Sequence, residues 1–517
     1  MKKLTALLVT AAMLVTLATA CGTSGDNAAG TTTGAATTAG TESQVQRTDL
    51  NMVIETDIAT LHPSDFSTTV EIDATRQIYD TLMYYPQGSA TDPQPRIAKS
   101  YKVSDDGLTY TFELRDDVTF HNGKPLTAKD VQFSAELYKA SPYQASKVNG
   151  MESVEAVGDY TVVFKTQTPF SPFLSNICTL NIASKDYYEE AGKEKFGTDP
   201  VGSGPYQFAS HELGNKLVLK AYEGYYRGVA KIKDVTIKII PDSTTAAIAL
   251  QTGEADYLKI QQADYATLEK DKNITLAKAP VSTFGFVTMN HEAKPFDNVK
   301  VRQAVAYCID RQNMIDIALE GFGTVNSNIL SPYKFGYSKD QPQYDYNVEK
   351  AKALLAEAGI AVPYNLGKIL AAEKYSKQAQ VLQNDLAAIG LNAEIEIMEF
   401  NAYITELRNG KYVISPLQIT LEGDTSMLEM VLASKYIGAA NNARYKNPEI
   451  DRWFGEAVSA IDDAKRLEIY NKIFTRAQED AVYASMYNPI DLYAYSSSLK
   501  VPEFPLEGDY FVYDFSW

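Results

Sequence analysis

Four histidines, three cysteines and a Ser-x-x-Lys tetrad are the residues of this 517-residue chain whose types suit metal binding, redox chemistry or acyl transfer. His62, His121, His211 and His291 are scattered, with no H-x-x-x-H spacing and no cysteine beside them, so no metal-ligand set assembles from local spacing. Each reads as a loop or strand-end histidine. Ser331-Pro-Tyr-Lys334 has the spacing of an acyl-enzyme nucleophile and its base, but the S-D-N and K-T-G partners of that chemistry are missing. Val201-Gly-Ser-Gly-Pro205 reads as a tight turn rather than a nucleophile elbow, and neither a P-loop nor a G-x-G-x-x-G after a strand occurs. Acid pairs such as Asp105-Asp106, Asp116-Asp117 and Asp462-Asp463 read as solvated surface charge. The sequence therefore predicts no catalytic residue, no metal and no cofactor, and a protein that is not an enzyme.

The elements that would position any site alternate between two periods. Thr109–Leu114 alternates apolar and polar residues as a strand with one wet face does. His121-Asn122-Gly123-Lys124-Pro125 is turn chemistry, and Thr127 with Asp130 three residues later caps a helix over Ala128–Ala140. Lys216–Tyr222 and Asp234–Ile240 are strand-like; Thr244–Thr252, Val299–Ala306 and Asn347–Glu357 are helical, with Gly359 ending the last. Such alternation predicts an α/β protein, and about 470 residues of it exceed one core, so two lobes are expected.

The N-terminus reads as a separate device. Lys2 and Lys3 precede an apolar run, Leu4–Ala20, too short for a stable membrane span, so residues 1–20 read as a signal peptide. Leu17-Ala-Thr-Ala-Cys21 resembles a lipoprotein cleavage box that would leave Cys21 lipidated. The alternative is ordinary cleavage after Ala18-Thr19-Ala20, releasing a soluble protein. Gly22–Gln46 is almost wholly small and polar, a composition that buries no core and behaves as a flexible tether with a reach of roughly 25–30 Å. Removing residues 1–20 takes away two lysines and no acid, moving the formal charge from −17 to −19. That balance excludes nucleic acid and anionic lipid as partners and leaves the lipid as the only membrane attachment. Cys178 and Cys308 sit in apolar runs as free thiols or, alternatively, as one disulfide.

Leu108–Val131 (LTYTFELRDDVTFHNGKPLTAKDV) closely resembles a signature of the family 5 extracellular solute-binding proteins, the oligopeptide, dipeptide and nickel receptors of ABC importers. The resemblance continues through Val201–Phe208, Lys294–Ala304 with Ile309-Asp-Arg311, Ala351–Gly359 and Asn442–Asp451. It implies a two-lobed periplasmic-binding-protein-like α/β fold with an extra subdomain and a hinge between the lobes. Carried over by motif, 48–78, 180–277 and 488–517 form the N-terminal lobe, 79–179 the inserted subdomain and 278–487 the second lobe, with crossings near 277 and 487.

The resemblance also implies where a solute would sit. Ser67, Thr68 and Thr69, following Leu61–Phe66, resemble a loop that pairs with ligand main chain, and Tyr143 of Ser141-Pro-Tyr143 resembles a ligand-touching tyrosine. Relatives carry W-x-x-D-Y-x-(D/E)-P where Gln418–Thr425 here reads QITLEGDT, so Trp, Tyr and Pro are gone, and Glu422 or Asp424 is left as the carboxylate for a peptide ammonium. Lys374 falls near the position of a carboxylate-reading Arg. The function this implies is a monomeric, extracytoplasmic lipoprotein, anchored to the cell membrane through Cys21, that captures a peptide or peptide-like solute and delivers it to ABC permease subunits. The alternatives are a receptor for a nickel chelate, an oligosaccharide or an opine-like compound, and an exported hydrolase.

Overall fold

The computed structural model describes Arg47–Trp517 apart from residues 87–92, 149, 333, 421–422 and 503–510. The signal segment, Cys21, the tether and Glu422 lie outside the described residues. Among those described, no helix is long and apolar enough to cross a membrane.

One strand organises the rest. Tyr483–Ser496 is 14 residues long, against about 5–6 for an average strand. Its first half pairs antiparallel with Thr283–Met289 and Gly323–Val325; its second half pairs with Tyr257–Ile260 and Ile274–Pro280. The twelve-stranded sheet continues on one side through Ile414–Thr420 to the parallel pair Tyr364–Ala372 and Leu391–Met398. On the other side it runs through Asp49–Ile54, Asp234–Ile239, Lys216–Ala221 and Tyr206–Glu212.

Four apolar cores hang on this frame. The largest gathers residues from Phe284 to Tyr487, and helices such as Val299–Cys308 and Ser376–Ala388 cover the sheet there. A second joins Leu50, Tyr206, Val235, Ala279 and Phe515, and a third packs the four-stranded sheet that contains Thr109–Leu114. A small fourth core sits under the second half of the long strand. Leu180 and Ile182 pack with the third core and Ala279 with the second, so the apolar packing passes from one body to the next a few residues beyond 179 and 277.

Local signals read from sequence recur with small shifts. The Thr127/Asp130 capping box forms at Ala128–Ala140. Asn347 caps Val348–Glu357, and Gly359 takes φ +72° just beyond its end, a left-handed position that costs glycine little. Val299–Cys308 runs two residues past the expected end. Cys178 and Cys308 are free thiols, so the disulfide alternative is not formed.

The Val201–Pro205 turn is a packing joint. A Cβ on Gly202 would lie 2.0 Å from the Ile78 carbonyl oxygen and one on Gly204 2.7 Å from it, so only glycine admits the helix end that abuts there. His121 docks on the same turn: its Nδ1 accepts from the Gly202 N–H at 3.3 Å and its Nε2 donates to the Gly204 carbonyl at 3.0 Å. The body around the four-stranded sheet meets that of the largest core where Ser171 donates from N–H and hydroxyl to the Val458 and Ala457 carbonyls and Ile461 fills the space beside Gly107.

Burial depresses the His121 imidazole to about 4. Unfolded, it would take a proton near pH 6.5, so the folded state binds fewer protons between those values and loses stability as pH falls from about 6.5 to about 4, by at most roughly 1.4 kcal/mol per pH unit. His121→Gln should lower stability at pH 7.5 yet show a shallower acid limb over that window in denaturant titrations; equal slopes in the two proteins would exclude this coupling.

Candidate functional site

A cavity of about 480 Å³ opens where the long strand changes partners. Ile490, Asp491 and Leu492 of that strand join Lys259, Gln261 and Gln262 on one wall; Lys374, Gln378, Gln418 and Thr420 form the opposite wall. The strand is buried over Tyr483–Asn488, only half-buried at Pro489–Asp491, and buried again over Leu492–Ala494, so an accessible stretch of the strand lies at the cavity. Its main chain is already paired there, Ile490 donating its N–H to the Phe322 carbonyl at 3.2 Å, so side chains carry the wall chemistry.

The wall chemistry is polar and mostly neutral. Lys259 and Asp491 pair at 2.6 Å and cancel. The Lys374 ammonium stacks over the Phe400 ring at 3.8 Å and the Tyr375 ring at 5.0 Å, and no carboxylate among the described residues contacts it. Partial burial lowers its pKa, a desolvation penalty that an anionic partner would offset. Lys377, next to it, is instead paired with Glu320 at 3.0 Å. Thr283 and Thr420 share a hydroxyl hydrogen bond of 2.7 Å at the cavity floor.

The expected ligand residues fall into separate places. Lys374 lines the cavity; Ser67, Thr68, Thr69 and Tyr143 do not. Thr68 caps the helix Thr69–Ile78, and the buried Glu71 carboxylate accepts from the Ser67 and Thr68 N–H groups at 2.8 and 3.0 Å. Ser67 and Thr68 are nevertheless exposed, as are Tyr143 and Thr69, which opens the helix rather than standing in the expected loop. The two segments are tied together, since Ser141 Oγ donates to the Ser64 carbonyl at 2.6 Å and Gln144 Nε2 to that of Phe66 at 2.9 Å.

Asp424 is placed otherwise than a free ammonium reader would be. Its carboxylate accepts from the Ser426 N–H at 2.8 Å and is ion-paired with Arg466, both side chains less than a tenth exposed. Arg466, on the helix Asp463–Glu479, lies over Phe335 and Tyr470. A buried carboxylate requires such a partner, and nothing in the spacing of 424 and 466 announces it.

Sequence reasoning passed over Gln378, Asp491 and Tyr487. Tyr487 is fully buried and receives hydrogen bonds from Gln378 Nε2 at 3.1 Å and Gln418 Nε2 at 2.9 Å. The available signal was Gln418 itself, standing where the family pattern has Trp. None of the four histidines lines the cavity, and among the described residues no three His, Cys, Asp or Glu side chains gather as metal ligands do. Ser331 is 2% exposed with its hydroxyl unpartnered among the described residues, while Lys334 donates to the Gly423 carbonyl at 3.0 Å, so the two do not form a nucleophile and base.

Comparison with known proteins finds relatives over most of the chain. The sequence model of bacterial extracellular solute-binding proteins, family 5 Middle, matches residues 92–432. The chain is 31% identical over 451 residues to heme-binding protein A of Haemophilus influenzae, covering 79% of this chain and 82% of that protein. It is 29% identical over 450 residues to the dipeptide-binding protein of Escherichia coli, covering 80% and 84%. The structure of the ABC transporter-associated periplasmic binding protein DppA from Helicobacter pylori, in complex with peptide STSA, is similar with a TM-score of 0.73 and 27% identity, covering 91% of this chain and 98% of that one.

Because Asp424 and Arg466 neutralise each other inside the second lobe, Arg466→Met should cost about 3 kcal/mol by stranding a buried carboxylate, and adding Asp424→Asn should recover much of it. Additive losses in a double-mutant cycle followed by urea unfolding would show that the pair is not coupled.

Proposed function

This chain belongs to the bacterial extracellular solute-binding proteins of family 5, and we propose that it captures a peptide or peptide-like solute between its lobes and delivers it to the permease of an ABC importer. The observation that carries this reading is the cavity at the partner switch of Tyr483–Ser496, walled by both halves of the sheet and lined by the half-buried Pro489–Asp491 stretch of that strand. An extended ligand gains affinity there from hydrogen bonds between its main chain and the wall side chains, which also set orientation. The peptide complex of the similar Helicobacter pylori protein and the name of the Escherichia coli relative support the same class of solute.

In this reading Lys374 takes the ligand carboxylate. Ser67, Thr68, Thr69 and Tyr143 form a second, exposed contact region, and Glu422 remains the proposed reader of the ammonium, Asp424 being committed to Arg466. Residues 48–78, 180–277 and 488–517 act as one lobe, 79–179 as its inserted subdomain and 278–487 as the other lobe, a division supported by the separate apolar cores. Residues 1–20 direct export, Cys21 carries the lipid, and 22–46 tether a single copy of the folded body to the outer face of the cell membrane. The chain binds and releases without turnover, in keeping with a Ser331 hydroxyl that makes no hydrogen bond to Lys334.

Calorimetry against pooled di- to hexapeptides tests the reading: heat of binding is expected with at least one pool, and silence with all of them while other solutes bind would remove the peptide claim. For a peptide that binds, Lys374→Met should weaken the free-carboxylate form about tenfold, as expected for one lost charged hydrogen bond, and leave the C-amidated form within about twofold. Equal losses for both would take Lys374 out of the carboxylate site.

A further inference from the structure

We propose that Tyr487 is a positioning residue that turns the second-lobe wall of the cavity into a hydrogen-bond acceptor surface, so that this wall reads N–H groups on the solute. The inference rests on the peptide reading above and specifies what in a peptide the wall recognises. Gln378, on the helix Ser376–Ala388, and Gln418, on the strand Ile414–Thr420, both line the cavity, and both donate Nε2–H to the same phenol oxygen. A carboxamide has donors on one side and an acceptor on the other, so fixing the two NH₂ groups fixes where the two oxygens point. Among the described residues no donor reaches either Oε1, and neither is a buried atom lacking a partner. Both oxygens therefore open into the cavity.

The phenol is held where it can do this. Tyr487 is 0% exposed, and its ring lies against Gly285, where a Cβ would come within 2.5 Å of it. Pairing with Thr283–Met289 shifts register between Gly285 and Phe286, opposite Tyr487, and this irregularity turns the ring under the cavity wall. Two accepted hydrogen bonds occupy the lone pairs of the phenol oxygen. Without that oxygen each carboxamide is free to flip, and the wall then offers donor and acceptor alike to a solute that lacks N–H.

The test offers the immobilised full chain a pool of tripeptides, each present as parent and with its two internal amides N-methylated, and reads the captured fraction by mass spectrometry. The wild-type protein should enrich parents over methylated forms by about tenfold or more, the scale of one hydrogen bond. Tyr487→Phe, with its melting temperature checked, should bring that ratio to within about twofold of unity. Gln418→Met should lower it in the same direction and stands in if Tyr487→Phe does not fold. A Tyr487 of merely structural importance would lower melting temperature and leave the ratio unchanged. An unchanged ratio in both variants, or a ratio near one in the wild type, overturns the inference; capture of neither form by the wild type removes the peptide reading itself, and this inference with it.

Discussion

The backbone ladder along Tyr483–Ser496 is the interaction on which the rest depends, because a single strand is hydrogen-bonded into both lobes and changes partners midway. Each ladder bond is worth about 1 kcal/mol net, and breaking any of them beneath the buried residues would leave unpaired polar groups at greater cost. The lobes can therefore turn about the strand but not part from it. At the far side, among the described residues, the two Ser171 hydrogen bonds and the seating of Ile461 against Gly107 join the four-stranded-sheet body to the second lobe. Two such bonds amount to about 2 kcal/mol, well below the roughly 8 kcal/mol of a micromolar ligand. A fold with one inseparable edge and one weak edge can open and close around whatever binds between them.

Charge is handled in a way that leaves the cavity selective. The chain is strongly acidic, yet two of its buried carboxylates are each paired with an arginine: Asp424 with Arg466, and Asp80 with Arg96 at 2.8 Å with two tyrosine hydroxyls beside it. Arg311, buried and lowered to about 10 by desolvation, spends its donors on four backbone carbonyls rather than on a ligand. With charges settled inside the lobes, the cavity presents one ion pair, the Lys374 ammonium, and a set of carboxamides among its described lining residues.

Much of the scaffold was legible in the sequence, because its signals are local. Capping chemistry at Thr127 and Asn347, the alternation of Thr109–Leu114 and the glycines of Val201–Pro205 depend on neighbours a few residues away, and each recurs in the structure within two residues. The long strand escaped notice because its buried first half, YASMYN, does not alternate, and its meaning lies in partners some two hundred residues distant. The site was less legible for the same reason. A carboxylate at 424 looks free until a helix begun forty residues later lays Arg466 beside it, and Gln378, Gln418 and Tyr487 converge from three elements with no shared motif. The break in the family pattern at Gln418 marked where to look; it did not say what stands there.

The central claim is that a solute bound at the partner switch draws the two lobes together about Tyr483–Ser496. Spin labels at the exposed positions Leu213 and Ile397, one in each lobe, measure that separation by pulsed dipolar spectroscopy in the full chain. The account predicts a distance distribution that shortens and narrows when a binding peptide pool is added. A distribution unchanged by a solute that calorimetry shows to be bound would contradict it.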